Sequence, residues 1–176
     1  MSRIRAAGAF ALFTLAFALP LAGARAHDVA AGDLVIQAPW SRATPPGAQV
    51  GGGYLTIVNK GSAADRLVGG SVEVSAGFEI HDMAMKGDVM TMNRLDGLDI
   101  PAGGSVTFSP GGTHLMFTGL KHALKKGQHV KGTLVFEKAG TVTVEYDVEG
   151  IAAKGPAEAE HAAPAMHDAM PGMKMD

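Results

Sequence analysis

Thr141-Val-Thr-Val-Glu-Tyr-Asp-Val-Glu149 is the stretch that decides the fold class. Val142, Val144, Tyr146 and Val148 alternate with Thr141, Thr143, Glu145, Asp147 and Glu149. A strict period of two over this length means a β-strand with one buried face and one wet face. Just upstream, Thr133-Leu-Val-Phe-Glu137 has the same character, and Lys138-Ala-Gly140 is a short turn, so the two segments are expected to form a hairpin. Further strands are expected at Asp33 to Gln37, Tyr54 to Asn59, Ser71 to Ser75, Gly77 to Met83, Val89 to Arg94, Ser105 to Ser109 and His114 to Thr118. Glycine and proline punctuate them at Pro45-Pro-Gly47, Gly51-Gly-Gly53, Pro101-Ala-Gly-Gly104 and Pro110-Gly-Gly112. Many short strands at regular spacing, with few helical patterns, point to an all-β sandwich or Greek-key barrel. No tandem repeat of the kind that marks a solenoid or propeller is present.

The ends of the chain have a different character. Arg3 and Arg5 precede an apolar run from Ala6 to about Ala22, and Ala24-Arg25-Ala26 follows as a small-x-small cleavage site. This is the anatomy of a signal peptide over residues 1–26, and it implies Sec-dependent export to the periplasm with cleavage after Ala26. Pro20 interrupts the run, which falls short of the roughly 20 apolar residues of a membrane span, so no membrane anchor is expected. Ile4 separates the two arginines, against a twin-arginine signal. The expected folded domain is then 27–151. Residues 152–176 are rich in Ala, Pro, Glu, His and Met and lack large aliphatic or aromatic side chains. Such a segment buries too little apolar surface to offset its ordering entropy and reads as a disordered tail.

Charge and cysteine content exclude several functions. Lys and Arg number 15 against 17 Asp and Glu, and three of the basic residues precede the cleavage site. The remaining domain is mildly acidic, a poor match to nucleic acid. There is no cysteine anywhere in the chain. That removes disulfides, thiol redox chemistry, a cysteine nucleophile, a lipid-bearing cysteine and a blue-copper centre, which needs a thiolate.

The chemistry-bearing residues are unevenly placed. His81-Asp-Met83-Ala-Met85, Met90-Thr-Met92 and His114-Leu-Met116 cluster histidine with methionine on neighbouring strand segments. Methionine in a core usually stands singly as a gap-filler. Because side chains at i and i+2 share a face, His114 and Met116 point one way and Leu115 and Phe117 the other, into the core. A hairpin centred on Lys86-Gly87 would pair His81 with Met92 and Met83 with Met90, at about 5 Å between β-carbons. The strand carrying His114 and Met116 would complete a four-ligand set of His81, Met92, His114 and Met116. Thioethers are soft and neutral and select Cu(I) over zinc, magnesium or calcium, and imidazole also suits copper. A site without a charged ligand holds Cu(I) yet exchanges it, which suits delivery better than catalysis.

These residues also resemble a known family, the PCuAC periplasmic copper chaperones. Their pattern is His, ten residues, Met, twenty-one residues, His, one residue, Met, and the intervals from His81 to Met92, to His114 and to Met116 match it. The surroundings are similar as well: Ala38-Pro-Trp-Ser-Arg-Ala-Thr-Pro-Pro-Gly47, Gly53-Tyr-Leu-Thr-Ile-Val-Asn59, Ile100-Pro-Ala-Gly-Gly104 and Pro110-Gly-Gly-Thr-His-Leu-Met116. The resemblance covers roughly residues 33–150. It implies a cupredoxin-like Greek-key barrel, Met92 as the ligand with Met90 and Met83 as neighbours, and Cu(I) delivery to the copper A centre of cytochrome c oxidase. A Sco-type thiol protein would act alongside, and the chain would work as a monomer rather than as an enzyme. The tail residues His161, Met166, His167, Met170, Met173 and Met175 are candidates for additional copper, including Cu(II), and His27 would become an N-terminal chelator on cleavage. Competing readings are a periplasmic buffer for copper tolerance, an oxidative copper enzyme using His27, and a β-sandwich whose methionines merely pack. His122 and His129 flank lysines and are expected on a solvated loop.

Overall fold

The computed structural model describes residues 28–86 and 89–156. The signal peptide expected over residues 1–26, His27 and the tail candidates from His161 to Met175 lie outside the described residues. The described chain is all-β, with eleven strands: β1 (Val29–Ala31), β2 (Leu34–Arg42), β3 (Val50–Asn59), β4 (Asp65–Val72), β5 (Gly77–Lys86), β6 (Val89–Leu95), β7 (Leu98–Ile100), β8 (Ser105–Phe108), β9 (His114–Thr118), β10 (His129–Phe136) and β11 (Gly140–Glu149). They join in one mixed sheet in the order β6-β5-β9-β3-β2-β11-β10-β4-β7, with β1 added to β2 and β8 to β3. All pairings are antiparallel except β11 with β2, where Asp147, Val148 and Glu149 run parallel to Trp40, Ser41 and Arg42. The sheet rolls over one core, which brings β4 beside β5.

The alternation read from Thr141 to Glu149 has its physical outcome: Val142, Val144, Tyr146 and Val148 are all buried. They meet Leu115 and Phe117 from β9, Leu134 and Phe136 from β10, and Ile36, Leu55 and Ile57 from β2 and β3. The Phe117 and Tyr146 rings pack edge to face with centroids 5.3 Å apart.

Four local expectations are corrected. Gly51-Gly-Gly53 is not a break between strands but lies inside β3, where Gly51, Gly52 and Gly53 pair with Phe117, Met116 and Leu115. The reason is close approach: a β-carbon on Gly53 would stand 2.3 Å from the Phe117 ring. β2 does not stop at Gln37 but continues to Arg42 across a register shift between Gln37 and Trp40. Ala38 there takes a positive φ of 45°, and such an irregularity is how a strand accommodates Pro39. The strand expected at Ser71 to Ser75 runs instead from Asp65 to Val72. His129 is likewise not in a loop. It opens β10 and bonds Asp147 on β11 at 2.6 Å, while remaining exposed.

Asp65 ties the start of β4 to the turn between β10 and β11. Its carboxylate accepts from the backbone N–H groups of Arg66, Lys138 and Ala139. Burial raises its pKa, but those three donors outweigh burial and leave it below the usual carboxylate value. Residues 152–156, counted with the tail from composition, lie against the body: Arg42 donates to the Ala153 carbonyl at 2.6 Å.

Candidate metal centre

β5 lies between β6 and β9, and this three-strand segment carries every His/Met cluster of the body. Ile80, Leu115 and Phe117 point inward and are buried. By alternation, Glu79, His81, Met83 and Met85 of β5 share the opposite face. Directly paired residues share a face too, which adds His114 and Met116 of β9 and Met90, Met92 and Arg94 of β6.

The register between β5 and β6 differs from the expected one. His81 pairs with Arg94, Met83 with Met92 and Met85 with Met90. The hairpin therefore centres on residues 87 and 88 rather than 86 and 87, because Lys86 pairs with Val89. The partner of His81 moves by two positions, so parity is kept and Met92 stays on the His81 face. It is now a diagonal neighbour rather than a direct one, at about 7–8 Å along the backbone.

His81 and His114 are a direct pair, with ring centroids 5.8 Å apart. Met116 pairs with Glu79, one step along the strands from the two rings. Met92 lies one step in the other direction, across β5. The structure thus brings the two imidazoles together and sets the two thioethers on either side of them. On the far side of β9, Met116 faces Gly52, whose missing side chain leaves space that the Tyr54 hydroxyl enters. Tyr54 is stacked on Trp40 at 4.5 Å, with the Arg42 guanidinium 5.9 Å from its ring centre.

Hydrogen bonding fixes the two rings in defined states. His81 is 8% exposed, and its Nε2 lies 2.7 Å from Glu79 Oε2. An ionised carboxylate only accepts, so Nε2 carries a proton, and in the neutral ring Nδ1 keeps the lone pair. That Nδ1 is buried and has no hydrogen-bond partner. Glu79 is held in turn by Arg94 at 3.2 Å. The hydrogen bond from His81, reinforced by the Arg94 charge, keeps the Glu79 carboxyl below its ordinary pKa. His114 donates from Nδ1 to the Gly112 carbonyl at 2.9 Å, leaving Nε2 as its free lone pair. A histidine whose second nitrogen is tied to a carboxylate or carbonyl is the standard arrangement of a metal ligand.

Among the described residues no group of three or more His, Asp or Glu is placed to hold an ion. What this face offers is two imidazoles with thioethers beside them, a donor set suited to a soft ion. Glu79 and Arg94 are the site residues that the His/Met pattern did not single out. The signal for Glu79 was present, since it stands two residues before His81 and so on its face; Arg94 needed the true register.

An all-β domain with paired imidazoles and flanking thioethers on one outer face defines a class, and comparison with known proteins gives the same class. The copper-bound PCuAC domain from PmoF2 is 32% identical, with a TM-score of 0.63, covering 70% of this chain and 98% of that domain. The CuI-DR1885 solution structure from Deinococcus radiodurans is 29% identical, with a TM-score of 0.55, over 73% and 83%. PCuAC domains are copper-binding domains of chaperone type.

Residues 34–148 match the family described as "Putative lipoprotein LpqE-like", and the chain belongs to this LpqE-like, PCuAC-type family. A curated relative, "Putative lipoprotein Lxx21020" from Leifsonia xyli subsp. xyli, is 33% identical over 94 residues. That match takes in 53% of this chain and 57% of the relative, so the chain spans little more than half the length of the relative it matches. The lipoprotein names point to exported, envelope-associated proteins. Among the described residues no helix is long and apolar enough to cross a membrane.

Proposed function

We propose that this chain is a periplasmic Cu(I) carrier that binds one ion between His81 Nδ1 and His114 Nε2, with Met92 and Met116 as thioether ligands, and passes it on by ligand exchange. The observation that carries the proposal is the pair of prepared lone pairs. The Nδ1 of His81 is buried and unpartnered, and both imidazoles have their other nitrogen occupied. Leaving such an atom unsatisfied costs about 1–3 kcal/mol unless something binds it. Supporting it, the PmoF2 domain was solved with copper and DR1885 in its Cu(I) form, on the same fold.

The proposed recipient is the apo copper A domain of cytochrome c oxidase, with a Sco-type thiol protein as a co-factor of the transfer. The signal-peptide reading of residues 1–26 and the lipoprotein names support a periplasmic setting. The role proposed is transport of the ion, not turnover of a substrate. The alternative within the same site is a buffer that stores copper without a recipient.

An anaerobic Cu(I) competition titration tests the site. His114→Ala and Met116→Ala are each expected to weaken binding while the β signature of the fold persists; unaltered affinity in both would refute the assignment. Incubating the loaded chain with an apo copper A domain then separates carrier from buffer, since a carrier loses its copper to the domain and a buffer retains it.

A further inference from the structure

The corrected hairpin register creates a second group of sulfur ligands beyond the His81–His114 row. Met83 pairs with Met92, and Met85 pairs with Met90. The four side chains form a two-by-two array on one face, running from the imidazoles toward the end of the hairpin. Only ten of 176 residues are methionine, yet both adjacent cross-strand pairs here are Met with Met. Gap-filling in a core does not explain them, because Met85 is 62% exposed, Met90 57% and Met92 51%. An apolar patch would be served equally by leucine or isoleucine, but all four positions carry a thioether.

We infer that Met83, Met85 and Met90 form a separate, all-thioether Cu(I) site at the end of the β5–β6 hairpin, from which the ion moves inward through Met92 to the histidines. Directly opposed β-carbons stand about 5 Å apart, a gap that two unbranched thioether arms close on one ion. Three neutral sulfurs select a soft monovalent ion and reject harder divalent ones. Their exposure makes the site an entry point. The better ligands lie deeper, at buried His81 and half-buried His114. No electron is transferred along this route; the ion stays Cu(I) and only its ligands change. The inference of inward movement rests on the His81–His114 site proposed above, whereas the hairpin site itself does not.

The experiment uses the full chain with methionine methyl groups labelled with carbon-13. Cu(I) is added stepwise without oxygen, and each methyl resonance is assigned from single Met→Leu variants. The Met85 and Met90 methyls are expected to shift together, in a step separate from that of Met92 and Met116. The double variant Met85→Leu/Met90→Leu, which conserves side-chain volume, is expected to bind one equivalent fewer against a bicinchoninate competitor while the His81 and His114 ring signals still move. Met85 and Met90 methyls that stay in place to saturation, with extra copper moving only Met166, Met170, Met173 and Met175, would overturn the hairpin site. Movement of Met85 and Met90 without movement of His81, His114 or Met116 would uphold it and instead defeat the His81–His114 assignment.

Discussion

Removing the Glu79 side chain probes whether His81 is prepared for metal through Nδ1. The carboxylate makes a 2.7 Å bond to Nε2 and, among the described residues, is the group that fixes that ring's tautomer. Loss of such an outer partner typically costs 10- to 100-fold in metal affinity. At 1.4 kcal/mol per factor of ten, that is about 1.4–2.8 kcal/mol. Glu79→Ala should lie in this range, because the ring then turns freely and presents Nδ1 only part of the time. Glu79→Gln should lose less, since its amide oxygen still accepts from Nε2 but without charge. Arg94→Ala should lose least: its 3.2 Å contact to Glu79 is an exposed ion pair that solvent screens. The assay is an anaerobic Cu(I) competition titration on the three variants, with nitrogen-15 shifts of His81 reporting the tautomer in the metal-free chain. The expected order of affinity loss is Glu79→Ala, Glu79→Gln, Arg94→Ala. A Glu79→Ala chain that binds Cu(I) as tightly as the parent would refute the reasoning, and so would a metal-free His81 protonated on Nδ1.

Two further predictions concern the scaffold. Asp65→Asn should destabilise the fold by about 2 kcal/mol at pH 7, because one of the three backbone donors then faces an amide N–H₂. The folded-state pKa of Asp65 lies below its unfolded value, so its contribution is present above about pH 4 and fades as the pH falls through the folded value. Urea unfolding of parent and variant should therefore converge in acid, and a gap that widens there would contradict this account. Gly53→Ala should cost about 1–3 kcal/mol or more, since its new methyl would stand 2.3 Å from Phe117. Gly69→Ala, which meets nothing within 4 Å, should stay within about 0.5 kcal/mol of the parent. Equal melting temperatures for the two alanine variants would show that β9 does not need the close approach.

Much of this architecture was legible because alternation survives local error. Thr141 to Glu149 and His114 to Thr118 lie in strands as read, and the strand read from Thr133 to Glu137 holds as far as Phe136. β1 and β7 were not, since three residues are too few to display a period. Glycine misled at Gly51-Gly-Gly53, where it serves packing against Phe117 rather than a turn. It also hid most of β4, because Gly69 and Gly70 stand just before the expected start at Ser71. The hairpin register failed because it depended on which two residues sit at the turn, a choice that Lys86-Gly-Asp88 leaves ambiguous. The error was even-numbered, so the face of every ligand candidate survived while its neighbours changed. Glu79 as the partner of His81, and Arg94 beyond it, belong to that second kind of information.

The placement of the ligands along the sheet bears on how an ion held there would leave. β9 is enclosed between β5 and β3, and its inward residues Leu115 and Phe117 are fully buried. The same alternation that anchors those two fixes His114 and Met116 on the outer face, so these ligands inherit the rigidity of the core. His81 is nearly as well held, buried and tied to Glu79. β6 is different, for it ends the sheet with one edge unpaired by any described strand, and Met92 is half exposed. The four ligand candidates are thus graded from two fixed imidazoles to one open thioether. If the ion is held as proposed, the ligand that a recipient displaces first is Met92, because it costs least to move and solvent reaches it. A recipient offering thiolates would then complete the exchange, since thiolate binds Cu(I) more strongly than thioether and this chain has no cysteine with which to compete.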